Sequence, residues 1–136
     1  MGGLTKTANR GFLTMELVLV LPILLISLMA LIEIGTYLVA AQAIQGAALA
    51  GAREASLPQA TYPRVRWAVV RALSGWSYAA TLGPDDILVV ESPEDGSVGV
   101  TVSVDARKAA VNSLAFVPGL DLTGKRITAQ FVMRKE

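Results

Sequence analysis

The sequence contains neither histidine nor cysteine among its 136 residues. Without histidine the chain cannot form a His-based catalytic triad, an imidazole general base or most transition-metal sites. Without cysteine it folds without disulfide bonds. It also lacks a glycine-rich phosphate loop and a spaced pair of carboxylates, and its net charge of +1 argues against a broad nucleic-acid-binding surface. We therefore expect no enzyme, no cofactor, no metal and no nucleic-acid partner.

Charge is absent from one long segment. Residues 17–32 are 16 consecutive uncharged positions, and after Glu33 the uncharged sequence resumes and continues beyond residue 43. A bilayer core needs about 20 helical residues, so residues 17–40 suffice to span a membrane. Basic residues Lys6 and Arg10 precede the span, and the next basic residue is Arg53. The positive-inside rule then predicts a cytoplasmic N-terminus and an exported C-terminal part.

Two helices are predicted. The alanine-rich residues 40–56 favour continuation of the membrane helix to about residue 56, where Leu57-Pro58 ends it. A second helix is expected to begin near Pro63 and to stop at Gly75. Its apolar face would comprise Val65, Ala68, Val69, Ala72 and Leu73.

Strands are predicted farther along the chain. Residues 86–92 and 97–105 flank a Pro-Glu-Asp-Gly turn and predict a β-hairpin, and residues 126–134 alternate as a third strand. A short helix is expected within residues 106–117. The fold class is therefore α+β, with a leader at 1–11, a long helix at 12–56 and an exported domain at 57–136. We expect Trp67 and Trp76 to pack into the small core of that domain.

The N-terminal motif indicates proteolytic processing. A basic leader ends in Gly11, followed by Phe12, by Glu16 four residues later, and then by the apolar run. This pattern resembles a prepilin, whose family is cut after the glycine by a dedicated prepilin peptidase. A second interpretation is a Sec signal peptide cut after Ala41-Gln42-Ala43, although the long apolar run and the early glutamate disfavour it.

The residues that follow narrow the resemblance. ELVLVLP at 16–22, IEIG at 32–35 and QAIQGAALAGAREA at 42–55 are similar to TadE-like proteins, which are pseudopilins of the tight-adherence (Flp) pilus system. One departure is Thr36, where a basic residue often follows in the family. The resemblance covers residues 10–56 and implies a minor pilin that acts in pilus assembly, surface adherence and biofilm formation. Implied partners are the prepilin peptidase, other pilins and pseudopilins, the inner-membrane assembly platform and the lipid bilayer.

The resemblance also implies a place in the cell and leaves alternatives open. The protein would cross the bacterial inner membrane once, with its C-terminal domain in the periplasm. The protein would either be incorporated into an extracellular pilus or only prime pilus assembly, and the resemblance does not decide between the two. Two further alternatives are a pseudopilin of a type II-like secretion system and a single-pass envelope protein whose exported domain binds a ligand or acts as an enzyme.

Several residues are candidates for roles in processing and assembly. After a cut between Gly11 and Phe12, the new α-amino group of Phe12 would pair with Glu16 of a neighbouring subunit. Glu33 lies near the far end of the span, where it would reach the periplasmic interface or a partner in another subunit. Low-bulk positions that permit close helix packing are Gly35, Gly46, Ala50 and Gly51.

Overall fold

A single long helix dominates the computed structural model, which describes residues 6–117, 119 and 121–135 and the side chains from Thr14 onward. Helix α1 runs from Lys6 to Ala55, which is 50 residues or about 75 Å. Pro22 lies inside it. The helix ends one residue before the predicted position, and Leu57 donates its amide to the Glu54 carbonyl in the turn that follows. The prediction of one helix through the membrane segment and the alanine-rich segment is confirmed.

Helix α2, Tyr62–Ala72, packs against the C-terminal half of α1. Pro63 lies in its first turn, as predicted, because the missing amide of proline costs nothing there. Val65, Val69 and Leu73 are buried at a spacing of four residues, and Ala72 is exposed. Arg64 forms an ion pair of 2.8 Å with Glu54 of α1. Two 3₁₀ turns, Ala79–Thr81 and Pro84–Asp86, connect α2 to the sheet.

The sheet has three antiparallel strands in the order β1–β2–β3. Their bounds are Ile87–Ser92, Ser97–Asp105 and Arg126–Arg134. Strand β2 is central, and Val100 is paired with Val89 on one side and with Phe131 on the other. The alternating valines of β2 are buried against α1, because side chains two residues apart share one face of a sheet. These are Val98, Val100, Val102 and Val104.

The segment after β2 differs from its predicted helix. Helix α3 covers only Ala106–Ala109, with Asp105 capping its first turn, and Ala110 is already extended. The helix does not continue beyond this point because the backbone amides of two later residues donate to side chains of α1 instead of to helical carbonyls. The Val111 amide donates to Thr36 Oγ1, and the Leu114 amide donates to the Glu33 carboxylate. Both acceptors belong to α1, so tertiary contacts replace the helical hydrogen bonds.

The core includes residues from both sides of the expected boundary at residue 56. Six residues of α1 are almost completely buried together with the inner faces of α2 and the sheet: Ala40, Ile44, Ala47, Ala48, Ala52 and Ala55. The C-terminal half of α1 is therefore part of the C-terminal fold. Only one of the two tryptophans predicted to lie in the core packs against it. Trp76 packs partly against the core, but Trp67 is 62% exposed, and the Arg71 guanidinium lies 4.8 Å from its ring centre.

Candidate functional site

The N-terminal half of α1 exposes apolar side chains along its whole circumference. We define the lower half as residues 14–32 and the upper half as residues 40–55. In the lower half the large aliphatic side chains are exposed in every turn, and Ala30 alone is half-buried. Among the described residues, α1 is the one helix long and apolar enough to cross a membrane. A helix that is apolar all round needs an apolar surrounding, which lipid or other helices can supply.

Glu16 lies at the start of this apolar surface. Its side chain is exposed, and the uncharged run begins at the next residue. A carboxylate at the edge of a bilayer costs less than one at its centre, where insertion scales give about 2.5–3.5 kcal/mol. Its exposure leaves it accessible to another molecule. Gly11 and Phe12 lie within α1, but their side chains are outside the described residues.

Glu33 occupies a different environment from Glu16. It is 7% exposed, although it lies in the apolar helix near the end of the uncharged run. Its carboxylate Oε2 accepts hydrogen bonds from the Leu114 amide at 3.0 Å and from Ser113 Oγ at 3.2 Å. A buried carboxylate is tolerated when donors replace its lost hydration, and both donors come from the segment after α3. Glu33 therefore joins α1 to the C-terminal fold across 80 residues of sequence, a contact that the interfacial interpretation did not foresee.

Thr36 adds a second connection one turn above Glu33. Its hydroxyl donates to the Glu33 carbonyl at 3.0 Å and accepts from the Val111 amide at 3.4 Å. Together Glu33 and Thr36 fix residues 111–117 along one face of α1, and we call these residues the 111–117 segment. The sequence carried one weak signal for this site. A carboxylate in an apolar helix needs a donor, but nothing local identified Ser113 or Leu114 as the source.

The low-bulk positions of α1 have different surroundings. A Cβ atom placed on Gly51 would lie 2.7 Å from Val69 Cγ2 and 3.0 Å from Val100 Cγ1. Gly51 therefore permits α2 and β2 to approach α1 within this chain, and Ala50 beside it is half-buried. At Gly35 and Gly46 a Cβ atom would meet nothing within 4 Å. These two positions face outward, so a packing role for them requires a second molecule.

The acidic turns form contacts within the sheet region. Asp86 forms an ion pair with Arg126 at the start of β3, and it also accepts a hydrogen bond from the Gly83 amide. These hydrogen bonds outweigh the effect of burial and lower the pKa of Asp86. Across residues 6–117, 119 and 121–135, no three acidic side chains cluster closely enough to hold a metal ion. The expectations of no metal and no cofactor stay predictions.

Comparison with known proteins identifies the N-terminal part. Residues 11–53 match the family model described as TadE-like protein. No curated protein and no solved structure matches the chain. The match begins at Gly11 and contains Glu16, Glu33 and Gly51, while α2 and the sheet lie outside it. At family level it supports a minor pilin-like protein associated with a Tad pilus. Over residues 11–53 the chain thus matches the TadE-like family model, as its sequence predicted.

Proposed function

We propose that this chain is a minor pilin of a Tad (Flp) pilus, that a prepilin peptidase processes it, and that it acts in pilus assembly, surface adherence and biofilm formation. The carrying observation is the division of α1 at about Glu33. Its lower half is apolar and exposed, and its upper half is packed into a fold of its own. Such a helix suits a subunit that leaves the bilayer and buries its lower half against neighbouring subunits. The chain then acts through assembly and not as an enzyme.

The proposed cut lies between Gly11 and Phe12. It removes only residues that precede the packed region of α1, so the C-terminal fold keeps every contact that the structure describes from Thr14 onward. A cut after Ala43 would instead remove Ala40 and Glu33, both buried against the rest of the fold. This difference in cost supports processing at Gly11 over a Sec-type cut.

Mass spectrometry of the mature N-terminus tests the processing step. In cells that contain a prepilin peptidase, we expect a chain that begins at Phe12. Gly11→Leu should leave the leader attached, because a bulky side chain replaces the glycine at the cut. A mature chain that begins at Ile44 would support the Sec interpretation. An uncut chain that begins at Met1 would reject processing altogether.

Charge pairing by Glu16 is the proposed assembly step. Once the cut exposes a positive amine at Phe12, the Glu16 carboxylate of a neighbour neutralises it, and neither charge then enters an apolar environment alone. We expect Glu16→Gln to be cut normally and to lose incorporation into pili, since glutamine keeps the size but not the charge. Glu16→Asp is the matched control and should retain partial assembly. Normal piliation and attachment by Glu16→Gln cells would show that the charge pair is unnecessary.

A further inference from the structure

The apolar surface of α1 ends at different depths on its two sides. On the side that faces away from the C-terminal fold, Leu38 and Val39 are exposed, and the first exposed polar side chain above them is Gln42. On the other side the C-terminal fold already covers Glu33. Six helical residues separate Glu33 from Val39, which is about 9 Å along the axis. An apolar surrounding that reaches Val39 therefore also reaches the level of the 111–117 segment.

The 111–117 segment is bound to α1 between the levels of Glu33 and Val39. Its Val111 amide binds Thr36, and its Leu114 amide binds Glu33, so the chain descends along α1 from the first contact to the second. A turn follows, closed by the Val117 amide donating to the Leu114 carbonyl at 2.9 Å. Ala115 and Phe116 occupy the two central positions of that turn, and Phe116 is 72% exposed. The tip of the turn thus presents an aromatic ring outward.

The chemistry of the segment suits lipid. Residues 109–117 contain no charged side chain, and Val111 is exposed beside the helix. A cavity of about 270 Å³ lies between α1 and the loop that follows the 111–117 segment. Its apolar lining residues include Ala30 and Ile34 of α1 and Leu122 of the loop. Glu33 and the exposed Lys125 also line this cavity, and a lysine at this level suits a lipid phosphate.

We propose that the 111–117 segment is a membrane-contacting turn that inserts Phe116 into the leaflet adjacent to the C-terminal fold. The proposal rests on the lower half of α1 lying in a bilayer and does not depend on pilus assembly. The segment lies at the same level along α1 as exposed apolar side chains of the helix, and this shared level favours lipid over a second protein as the occupant. Glu33 can remain at this depth because Ser113 and Leu114 provide its hydrogen bonds. The contact fixes the height of the C-terminal fold above the membrane.

Site-specific fluorescence on the full chain tests this inference, and the absence of native cysteine simplifies labelling. Phe116→Cys would carry an environment-sensitive fluorophore in phosphatidylcholine–phosphatidylglycerol vesicles that contain spin-labelled lipid. Asp95→Cys is the matched control, because Asp95 is exposed in the turn between β1 and β2. We expect a blue-shifted emission and several-fold stronger quenching at position 116 than at position 95. Equal quenching at the two positions would overturn the proposal.

Two further measurements test the anchoring role of Glu33 and the identity of the occupant. Adding Glu33→Leu to Phe116→Cys removes the acceptor for Ser113 and Leu114, and we expect weaker quenching at position 116. Glu33→Gln keeps an acceptor oxygen, so it should preserve most of the quenching at position 116. A blue shift that vanishes when the protein is diluted in excess lipid would assign Phe116 to contact with a second copy and would reject lipid as its occupant.

Discussion

The two halves of α1 belong to one helix, but they differ in side-chain size. The lower half is rich in leucine, isoleucine and valine, and these side chains are exposed. The upper half is rich in alanine and glycine, and its inner face is buried. Large side chains suit a surface covered by lipid, whereas small ones allow a helix and a sheet to approach the backbone closely. Apolar content alone therefore does not distinguish the exposed lower half from the upper half, which lies in the core.

The junction between the halves explains why both carboxylates of the N-terminal segment are present. Glu16 is exposed where the apolar surface begins, and Glu33 is buried where the C-terminal fold first contacts the helix. One is available to another molecule, and the other is already bonded within its own chain. Glu33 thereby fixes the C-terminal fold on its helix.

The largest expected effect comes from removing strand β3. Deleting residues 126–136 leaves one edge of β2 unpaired, so that β1 is its remaining partner, and removes the core side chains of Ile127 and Ala129. A two-stranded hairpin is marginally stable in water, so we expect the upper half of α1 to lose its packing. The lower half should still insert into membranes, and the proposed cut after Gly11 should still occur.

Limited proteolysis and circular dichroism of the full-length and truncated chains in detergent would measure this effect. Deleting residues 135–136 is the control, because it removes the exposed Lys135–Glu91 ion pair and keeps β3. Such surface pairs contribute about 0–1 kcal/mol, so the control should stay resistant. If the longer deletion is equally resistant, β3 is not needed to pack the upper half of α1.

A smaller effect is expected from a single methyl group at Gly51. The new Cβ of Gly51→Ala would overlap Val69 and crowd Val100, and valine side chains have little rotamer freedom with which to move away. Overpacking of this kind costs about 1–3 kcal/mol, offset in part by the better helix propensity of alanine, about 1 kcal/mol.

Gly46→Ala is the matched control on the outer side of the same helix. Nothing lies within 4 Å of its new Cβ, so the change should stabilise the chain by about 0.5–1 kcal/mol. Thermal melting of both variants in detergent should move in opposite directions. A stabilised Gly51→Ala would contradict the close approach of α2 and β2. Loss of assembly in Gly46→Ala with an unchanged fold would assign Gly46 to an intermolecular contact.

Local patterns predicted most of this fold. The valines of β2 and the alternation of β3 gave the strand bounds found in the structure, because burial on one face imposes a period of two. The prediction that Trp67 packs into the core was wrong, because it rested on the large apolar area of the side chain. Its position two residues after Val65 turns it about 200° away from the buried face of α2. The Glu33 contacts had no local signature, since they join residues 80 and 81 positions apart.

The smallest expected effect concerns acid and the anchoring of the 111–117 segment. Asp121 accepts hydrogen bonds from the side chains of Thr123 and Asn112 and from the Thr123 amide, and these bonds lower its pKa to about 2. Because the folded pKa lies below the ordinary value of 3.8, the ionised carboxylate stabilises the fold fully above about pH 4, and this contribution is lost as the pH falls through 2. Asp121→Asn removes it at every pH.

Pepsin cleavage within residues 106–125 of the full chain in detergent reports the loosening of this segment. We expect Asp121→Asn to be cut faster than the parent chain at pH 4 and the two rates to approach each other near pH 2, where about half of the parent's Asp121 carboxylates are protonated. Taking the ratio of the two rates at each pH cancels the pH dependence of pepsin itself. Asp95→Asn, in the turn between β1 and β2, should give a ratio near one throughout. If the Asp121→Asn ratio does not change between pH 4 and 2, ionised Asp121 does not hold the segment, and Glu33 and Thr36 anchor it without help from that charge.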